Sequence, residues 1–215
     1  MSTRGTTPAD RLLAAADRAL RTVYGIPIGT GRPNPARAKP GARGGDAPLR
    51  TRTGRLMRVN LAGEVAAQAL YQGQSLTARS AAVAARMRRA AQEENDHLLW
   101  CRERLADLGA HPSRLNPLWY AGSLLIGAVA GAAGDARSLG FLEETERQVV
   151  AHLGRHLQRL APGDEASRAL LGQMRRDEAR HGLHARTAGA KRPPPAIRLA
   201  MRLASRVMTG AAYWI

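Results

Sequence analysis

Residues 94–97 read Glu-Asn-Asp-His, and residues 178–181 read Glu-Ala-Arg-His. Each stretch places a carboxylate three residues before an imidazole, and on a helix these two positions share one face. A single glutamate precedes each pair at a similar interval, Glu64 before the first and Glu146 before the second. Glu64 lies in the otherwise uncharged stretch 61–71, where a lone buried charge needs a partner. The chain therefore repeats the order glutamate, then Glu-x-x-His.

This repeated order is that of ferritin-like bundles, in which two helices each supply an inward glutamate and two others each supply Glu-x-x-His. We therefore predict an all-α, ferritin-like four-helix bundle with additional membrane-associating helices. The predicted metal ligands are Glu64, Glu94, His97, Glu146, Glu178 and His181. Four carboxylates and two imidazoles suit two divalent iron or manganese ions with open positions for oxygen. The alternative is that both pairs lie on solvated helix surfaces.

Several neighbours of the predicted ligands are candidates for supporting roles. Asp177 and Asp96 each adjoin a ligand and could orient an imidazole across the bundle by accepting its second N–H. His152 is a candidate hydrogen-bonding group beside the metals, although a lone helix histidine is more often structural. Glu143 is the rival of Glu146 as a ligand because it lies one turn before Glu146 on the same helix face. Tyr71 could reach the site or simply pack in the core.

Composition supports a helical chain in a reducing compartment. Of the 215 residues, 44% are hydrophobic and only 4% are aromatic, which fits a globular protein but leaves little material for a β-sheet core. Cys101 is the only cysteine, so an internal disulfide is excluded. The first ten residues contain no apolar run, and we expect no secretory signal peptide. The formal charge of +16 favours an acidic partner, either nucleic acid or an anionic membrane.

Apolar spacing predicts the helices and the domain organisation. An amphipathic segment, Pro8 to Tyr24, precedes six predicted helices at 56–76, 79–109, 116–134, 138–160, 164–188 and 195–212. Residues 1–55 are predicted to form an N-terminal helix and a flexible basic linker, the latter spanning Gly25 to Asp46. Residues 56–190 are predicted to form the di-metal bundle, and residues 191–215 a C-terminal basic amphipathic helix.

Two of these helices are suited to a membrane surface. The stretch Pro117 to Gly134 carries no charge, and we expect a helix buried in the domain or lying against lipid rather than one that spans a bilayer. Two glycines four residues apart within it indicate close helix packing. In the last helix Arg198, Arg202 and Arg206 share one face and apolar residues the other, which is typical of an interfacial helix. An ordinary surface helix that caps the bundle is the alternative.

Seven stretches between Leu56 and Ala188 carry a resemblance to a known family. They are Met57–Glu64, Gln68–Gln74, Glu93–Leu98, Leu115–Tyr120, Ser138–Phe141, Glu146–Leu153 and Asp177–His181. On these stretches the chain resembles the demethoxyubiquinone hydroxylase family, the di-iron monooxygenases of ubiquinone biosynthesis. It departs from the family at Leu61, where histidine is usual, and at Leu153, where many members have tyrosine. The departures bear on a proton or electron relay at those positions and leave the metal site intact.

The resemblance implies an activity, cofactors and partners. The six predicted ligands would hold two iron ions per chain, with His152 and Asp177 beside them and O₂ as co-substrate. The substrate implied is a polyprenyl methoxy-methyl-benzoquinol, the penultimate intermediate before the last O-methylation to ubiquinone. Because its tail lies in a bilayer, we expect a peripheral enzyme on the cytoplasmic face of the inner membrane, bound to anionic lipid. Nucleic acid is not expected as a partner.

Other readings of the same residues stay open at this point. A di-iron hydroxylase acting on modified tRNA would use the same ligands and the same positive charge. A ferroxidase or iron-storage protein would need a cage-forming surface, and a non-enzymatic basic protein would carry the pairs by accident. The sequence also leaves open the electron donor and whether the chain forms a homo-oligomer or joins a ubiquinone-biosynthesis complex.

Overall fold

The computed structural model describes residues 7–39 and 46–215, and within these ranges it contains seven helices and no strands. The helices are α1 (Pro8–Val23), α2 (Ala47–Thr77), α3 (Ala81–Asp107), α4 (Asn116–Ala132), α5 (Asp135–Arg159), α6 (Glu165–Thr187) and α7 (Pro195–Trp214). The predicted all-α class is therefore confirmed.

Polar side chains cap the N-termini of three of the four bundle helices, α2, α3 and α6. The Asp46 side chain accepts a hydrogen bond from the backbone N–H three residues on, and a proline occupies the first turn of α2. The helix therefore begins at Ala47. The start at Leu56 that apolar spacing alone predicted is wrong. Ser80 and Asp164 cap α3 and α6 in the same way.

Helices α2, α3, α5 and α6 form the four-helix bundle, with α2 packed on α3 and α5 packed on α6. The apolar core between them includes Leu56, Val65, Leu98, Leu170, Leu171 and Met174. Leu61 and Leu153, the two departures from the family pattern, belong to this core and are at most 1% exposed. Their side chains therefore fill apolar space in the core.

Helix α4 crosses α2 at very close range. A Cβ atom added to Gly127 would lie 2.3 Å from the Leu70 carbonyl oxygen, and one added to Gly73 would lie 2.2 Å from the Leu124 carbonyl oxygen. The two backbones touch because glycine occupies both positions, as the sequence predicted for this helix. The opposite side of α4 exposes Leu125 and other apolar side chains. Within the described ranges, no helix combines the length and apolarity that crossing a membrane requires.

The C-terminal end of helix α7 packs against α2. Ala212 is fully buried against Val59, and the Arg55 guanidinium lies 4.4 Å from the ring centre of Trp214. Farther along the helix, Leu203 and Val207 are at least half exposed. The helix is thus attached to the bundle at its C-terminal end, and apolar side chains farther from that end are exposed.

Residues 25–39, called the N-terminal strap below, lie along α3. Asn95 donates a hydrogen bond to the Ile28 carbonyl at 2.8 Å, and Arg37 pairs with Glu103 at 2.8 Å. This segment was predicted as the first part of a flexible linker, and its basic and polar residues instead meet acidic and amide side chains of α3. The rest of that linker, residues 40–45, and residues 1–6 lie outside the described residues. The domain boundaries at residues 55 and 190 stay predictions.

Candidate metal centre

The structure brings the six predicted ligands together in the middle of the bundle. Each of the four bundle helices contributes, and every one of these side chains is at most 5% exposed. Their oxygen and nitrogen atoms form two overlapping groups, each with all atoms within 4.8 Å of one another. The first group is Glu64, Glu94, His97 and Glu178, and the second is Glu94, Glu146, Glu178 and His181.

Glu94 and Glu178 belong to both groups. His97 Nδ1 lies 3.0 Å from Glu94 Oε2 and 3.1 Å from Glu178 Oε1. His181 Nδ1 lies 3.1 Å from Glu94 Oε1 and 3.3 Å from Glu178 Oε2. Each shared glutamate thus turns one oxygen towards each histidine. Glu64 completes the group around His97, with its Oε2 atom 3.4 Å from His97 Nδ1. The six side chains thus form two adjacent groups that share Glu94 and Glu178.

The outer nitrogen of each histidine meets a carboxylate outside the cluster. His97 Nε2 lies 3.1 Å from Asp177 Oδ2, and His181 Nε2 lies 2.9 Å from Glu93 Oε2. An ionised carboxylate only accepts hydrogen bonds, so each Nε2 atom is the donor. In the neutral imidazole the lone pair then lies on Nδ1, directed at the centre of the cluster.

The acids that orient the histidines are crossed between the two motifs. Asp177 precedes the glutamate of the second motif and reaches the histidine of the first, while Glu93 does the converse. The sequence analysis predicted a supporting role for Asp177 but not for Glu93. The feature that could have indicated Glu93 is that an acid directly precedes the glutamate in both motifs. The sequence also offered Asp96, which instead accepts hydrogen bonds from Thr30 and Arg32 of the N-terminal strap.

The cluster strongly favours positive charge at its centre. Burial raises the pKa of Glu64 and of Glu146 well above the usual range, with neighbouring carboxylates adding to the effect. Burial alone would raise the pKa of Glu94, but the imidazoles of His97 and His181 outweigh it and hold that pKa well below its ordinary value. Burial opposes a charge on His97, yet Glu94 and the other acids around it raise the pKa of His97 well above its ordinary value. Cations at the Nδ1 atoms would relieve the same repulsion.

The residues present fit two divalent cations. Buried Glu64 Oε2 and Glu94 Oε1 lack a hydrogen bond of normal geometry to any described residue, so two acceptor atoms point into the cluster unsatisfied. Four carboxylates with two neutral imidazoles carry four negative charges, which two divalent ions balance. Carboxylate and imidazole donors suit iron or manganese.

The remaining predicted residues lie around the cluster. The Tyr71 hydroxyl donates a hydrogen bond to Glu146 Oε1 and is buried with it. Glu143, the rival ligand, points away from the cluster and pairs with Arg186 at 2.7 Å, so it is not part of the site. His152 makes no hydrogen bond or ion pair with the six ligands in the described ranges.

An apolar cavity of about 620 Å³ adjoins the cluster between α2, α4, α5 and α7. Its walls include Val59, Leu70, Trp119, Phe141, Met201 and Met208. Glu64 is the one charged side chain of the described residues that lines it, and Asn60 and His152 are among its uncharged polar ones. The cavity therefore reaches from a predicted metal ligand to the two outer helices.

Comparison with known proteins agrees with this geometry. The family model described as "Ubiquinone biosynthesis protein COQ7" matches residues 51–212. A protein of Nitrosococcus oceani named 3-demethoxyubiquinol 3-hydroxylase is 53% identical over the whole of both chains. Proteins of the same name from Cupriavidus taiwanensis and Cupriavidus necator are each 56% identical, over 96% of this chain and all of theirs.

Proposed function

The chain belongs to the COQ7 family of ubiquinone biosynthesis proteins, and we propose that its buried glutamates and histidines hold two iron ions that serve the hydroxylation of demethoxyubiquinol. It is an enzyme, a 3-demethoxyubiquinol 3-hydroxylase. Two irons bound in the cluster would supply the activation of O₂ that insertion of an oxygen atom into a ring C–H bond requires. The donor set and the charge balance described above support iron at these ligands.

The cavity beside Glu64 is the proposed site of the quinol. The observation that carries this proposal is that Glu64 belongs both to the metal cluster and to the cavity wall. A ring placed at this end would lie beside the metal ions, while apolar side chains of α4 and α7 would surround a polyprenyl tail. Asn60 and His152 lie on the same wall and offer hydrogen-bonding groups for the ring oxygens.

The chain's own residues set up the reaction in three ways. Asp177 and Glu93 accept the Nε2 protons of the two histidines, and so direct both Nδ1 atoms towards the metals. The Tyr71 hydroxyl holds Glu146 in place by donating to its Oε1 atom. Burial of all six ligands excludes bulk water, which strengthens every electrostatic interaction around the reacting oxygen.

We propose that the enzyme takes its substrate from the cytoplasmic face of the inner membrane as a peripheral protein. Apolar side chains such as Leu125 of α4 and Leu203 of α7 are exposed, and both helices also line the cavity. The exposed arginines Arg202 and Arg206 lie beside these apolar positions on α7 and would contact anionic headgroups. A quinol could then enter the cavity without its tail crossing water.

The test combines substrate conversion with metal content. Gly63 lines the cavity next to Glu64, and a Cβ atom added there meets nothing within 4 Å, so Gly63→Leu fills the cavity without disturbing the backbone. Gly210 has equally open surroundings but does not line the cavity, which makes Gly210→Leu the matched control. Each variant is expressed in a ubiquinone-deficient strain blocked at ring hydroxylation, and its quinones are profiled by mass spectrometry.

We expect the wild type and Gly210→Leu to restore ubiquinone, and Gly63→Leu to accumulate the demethoxy intermediate while the purified variant still binds two irons. Full activity of Gly63→Leu would show that the ring binds elsewhere. A wild-type protein that binds no iron when reconstituted with Fe(II) would refute the proposed metal centre.

A further inference from the structure

The N-terminal strap is fixed to α3 at one buried carboxylate. The Thr30 backbone N–H lies 2.7 Å from Asp96 Oδ1, and Thr30 Oγ1 and Arg32 Nε lie 2.5 Å and 2.7 Å from Oδ2. A Cβ atom added to Gly29 would lie 2.3 Å from Asp96 Oδ1, so a larger residue at this position would push the carboxylate aside. Three donors on one carboxylate hold the strap in a single place.

From this anchor the Arg32 side chain extends to the surroundings of His97. Arg32 Nη1 lies 2.9 Å from Asp177 Oδ2, the oxygen that also faces His97 Nε2 at 3.1 Å. The guanidinium lies 5.0 Å from the ring centre of Trp100, whose ring lies 5.4 Å from that of His97. Arg32 thus contacts both groups that lie against the outer side of the imidazole.

We infer that Arg32 is a positioning residue for His97, and through it for one of the two metal ions. This inference rests on the proposed metal centre. Asp177 can orient the His97 imidazole only while the Asp177 carboxylate is itself held in one rotamer. A residue that fixes such a carboxylate changes metal affinity without touching the ion. Arg32 holds the Oδ2 end of Asp177, while Gln173 and Arg180 hold the Oδ1 end at 3.0 Å and 2.9 Å. Loss of Arg32 should therefore weaken the orientation of His97 without abolishing it.

The effect should be confined to one side of the cluster. His181 is oriented by Glu93, which is held in turn by Arg180 at 3.2 Å, and no described contact joins the strap to either residue. A residue that merely stabilised the fold would affect both metal ions equally. A positioning residue for His97 should affect the ion on the His97 side alone.

The experiment titrates the full-length apoprotein with Co(II) without oxygen, in competition with a chelator, and records the Co(II) absorption bands. Arg32→Gln removes both the positive charge and the planar guanidinium with its several N–H donors, whereas Arg32→Lys keeps the charge without the guanidinium. Arg37→Gln is the matched control, because Arg37 also lies on the strap and pairs with α3, through Glu103, but does not contact Asp177.

We expect Arg32→Gln to weaken one of the two Co(II) binding steps by about 10-fold and to shift its absorption bands, with the other step unchanged. Arg32→Lys should recover part of the loss, and Arg37→Gln should behave like the wild type. Equal weakening of both steps, no weakening, or the same loss in Arg37→Gln would overturn the inference while leaving the metal centre standing. A wild type that binds no Co(II) would refute both.

Discussion

Replacing Gly127 by alanine should destabilise the protein by about 2 kcal/mol. The new Cβ atom would lie 2.3 Å from the Leu70 carbonyl oxygen and 2.9 Å from Leu70 Cα, so α4 must move outwards by about 1 Å to restore van der Waals contact. The displaced atoms belong to the backbone, and no rotamer change can relieve the clash. Overpacking of this kind costs up to about 3 kcal/mol. Alanine regains about 1 kcal/mol of helix propensity over glycine, which leaves the net loss stated above.

The same helix offers the control. A Cβ atom added to Gly122 meets nothing within 4 Å, so Gly122→Ala should gain up to about 1 kcal/mol from helix propensity alone. The two variants should therefore differ by about 3 kcal/mol in the free energy of urea-induced unfolding, followed by circular dichroism on apoprotein. If Gly127→Ala were as stable as Gly122→Ala, the close approach of α4 to α2 would be absent in solution.

Three further changes test other parts of the molecule. Glu178→Gln should lose both metal ions and reduce activity at least about 100-fold, because one Glu178 oxygen faces His97 and the other faces His181. Metal analysis and quinol turnover check this. Burial lowers the pKa of His156 to about 2, with neighbouring cationic groups adding to the effect. Below about pH 6.5 the His156 imidazole is therefore protonated in the unfolded chain but not in the folded one. As the pH drops towards 5, this difference should lower the free energy of unfolding by about 1.4 kcal/mol per pH unit. The stability of His156→Gln, measured by urea unfolding, should lack that part of the slope, and an unchanged slope would contradict the assignment. Replacing the exposed Arg202 and Arg206 by glutamine should weaken flotation with anionic vesicles about 30-fold at low salt, from about 1 kcal/mol for each arginine. Equal flotation would show that α7 does not contact the membrane.

The sequence predicted the all-α class and the meeting of six side chains because both depend on helical periodicity. A carboxylate and an imidazole three residues apart share a helix face, whatever the rest of the fold does. Residues that act across helices were harder to predict. Glu93 reaches His181 on another helix, and only the match between Glu93-Glu94 and Asp177-Glu178 indicates such a role.

The N-terminal strap was missed for a different physical reason. Its Gly, Pro and Arg content is that of a flexible linker, and it carries no periodic pattern. What orders it is a set of donors on one buried carboxylate, Asp96, which lies far away in sequence. The early start of α2 was missed because residues 47–55 lack an apolar stripe, although the cap at Asp46 and the following proline signal it.

The crossed pairing of acids and histidines makes the metal geometry depend on the register of α3 against α6. A shift of one residue moves a helix by about 1.5 Å along its axis, which would misalign both the 3.1 Å contact of His97 with Asp177 and the 2.9 Å contact of His181 with Glu93. Both imidazoles would lose their orientation together. The cavity instead lies between α2, α4, α5 and α7 and meets the cluster at Glu64. Substitutions in its apolar walls should therefore change the fit of the proposed quinol while the four predicted ligands on α3 and α6 keep their places.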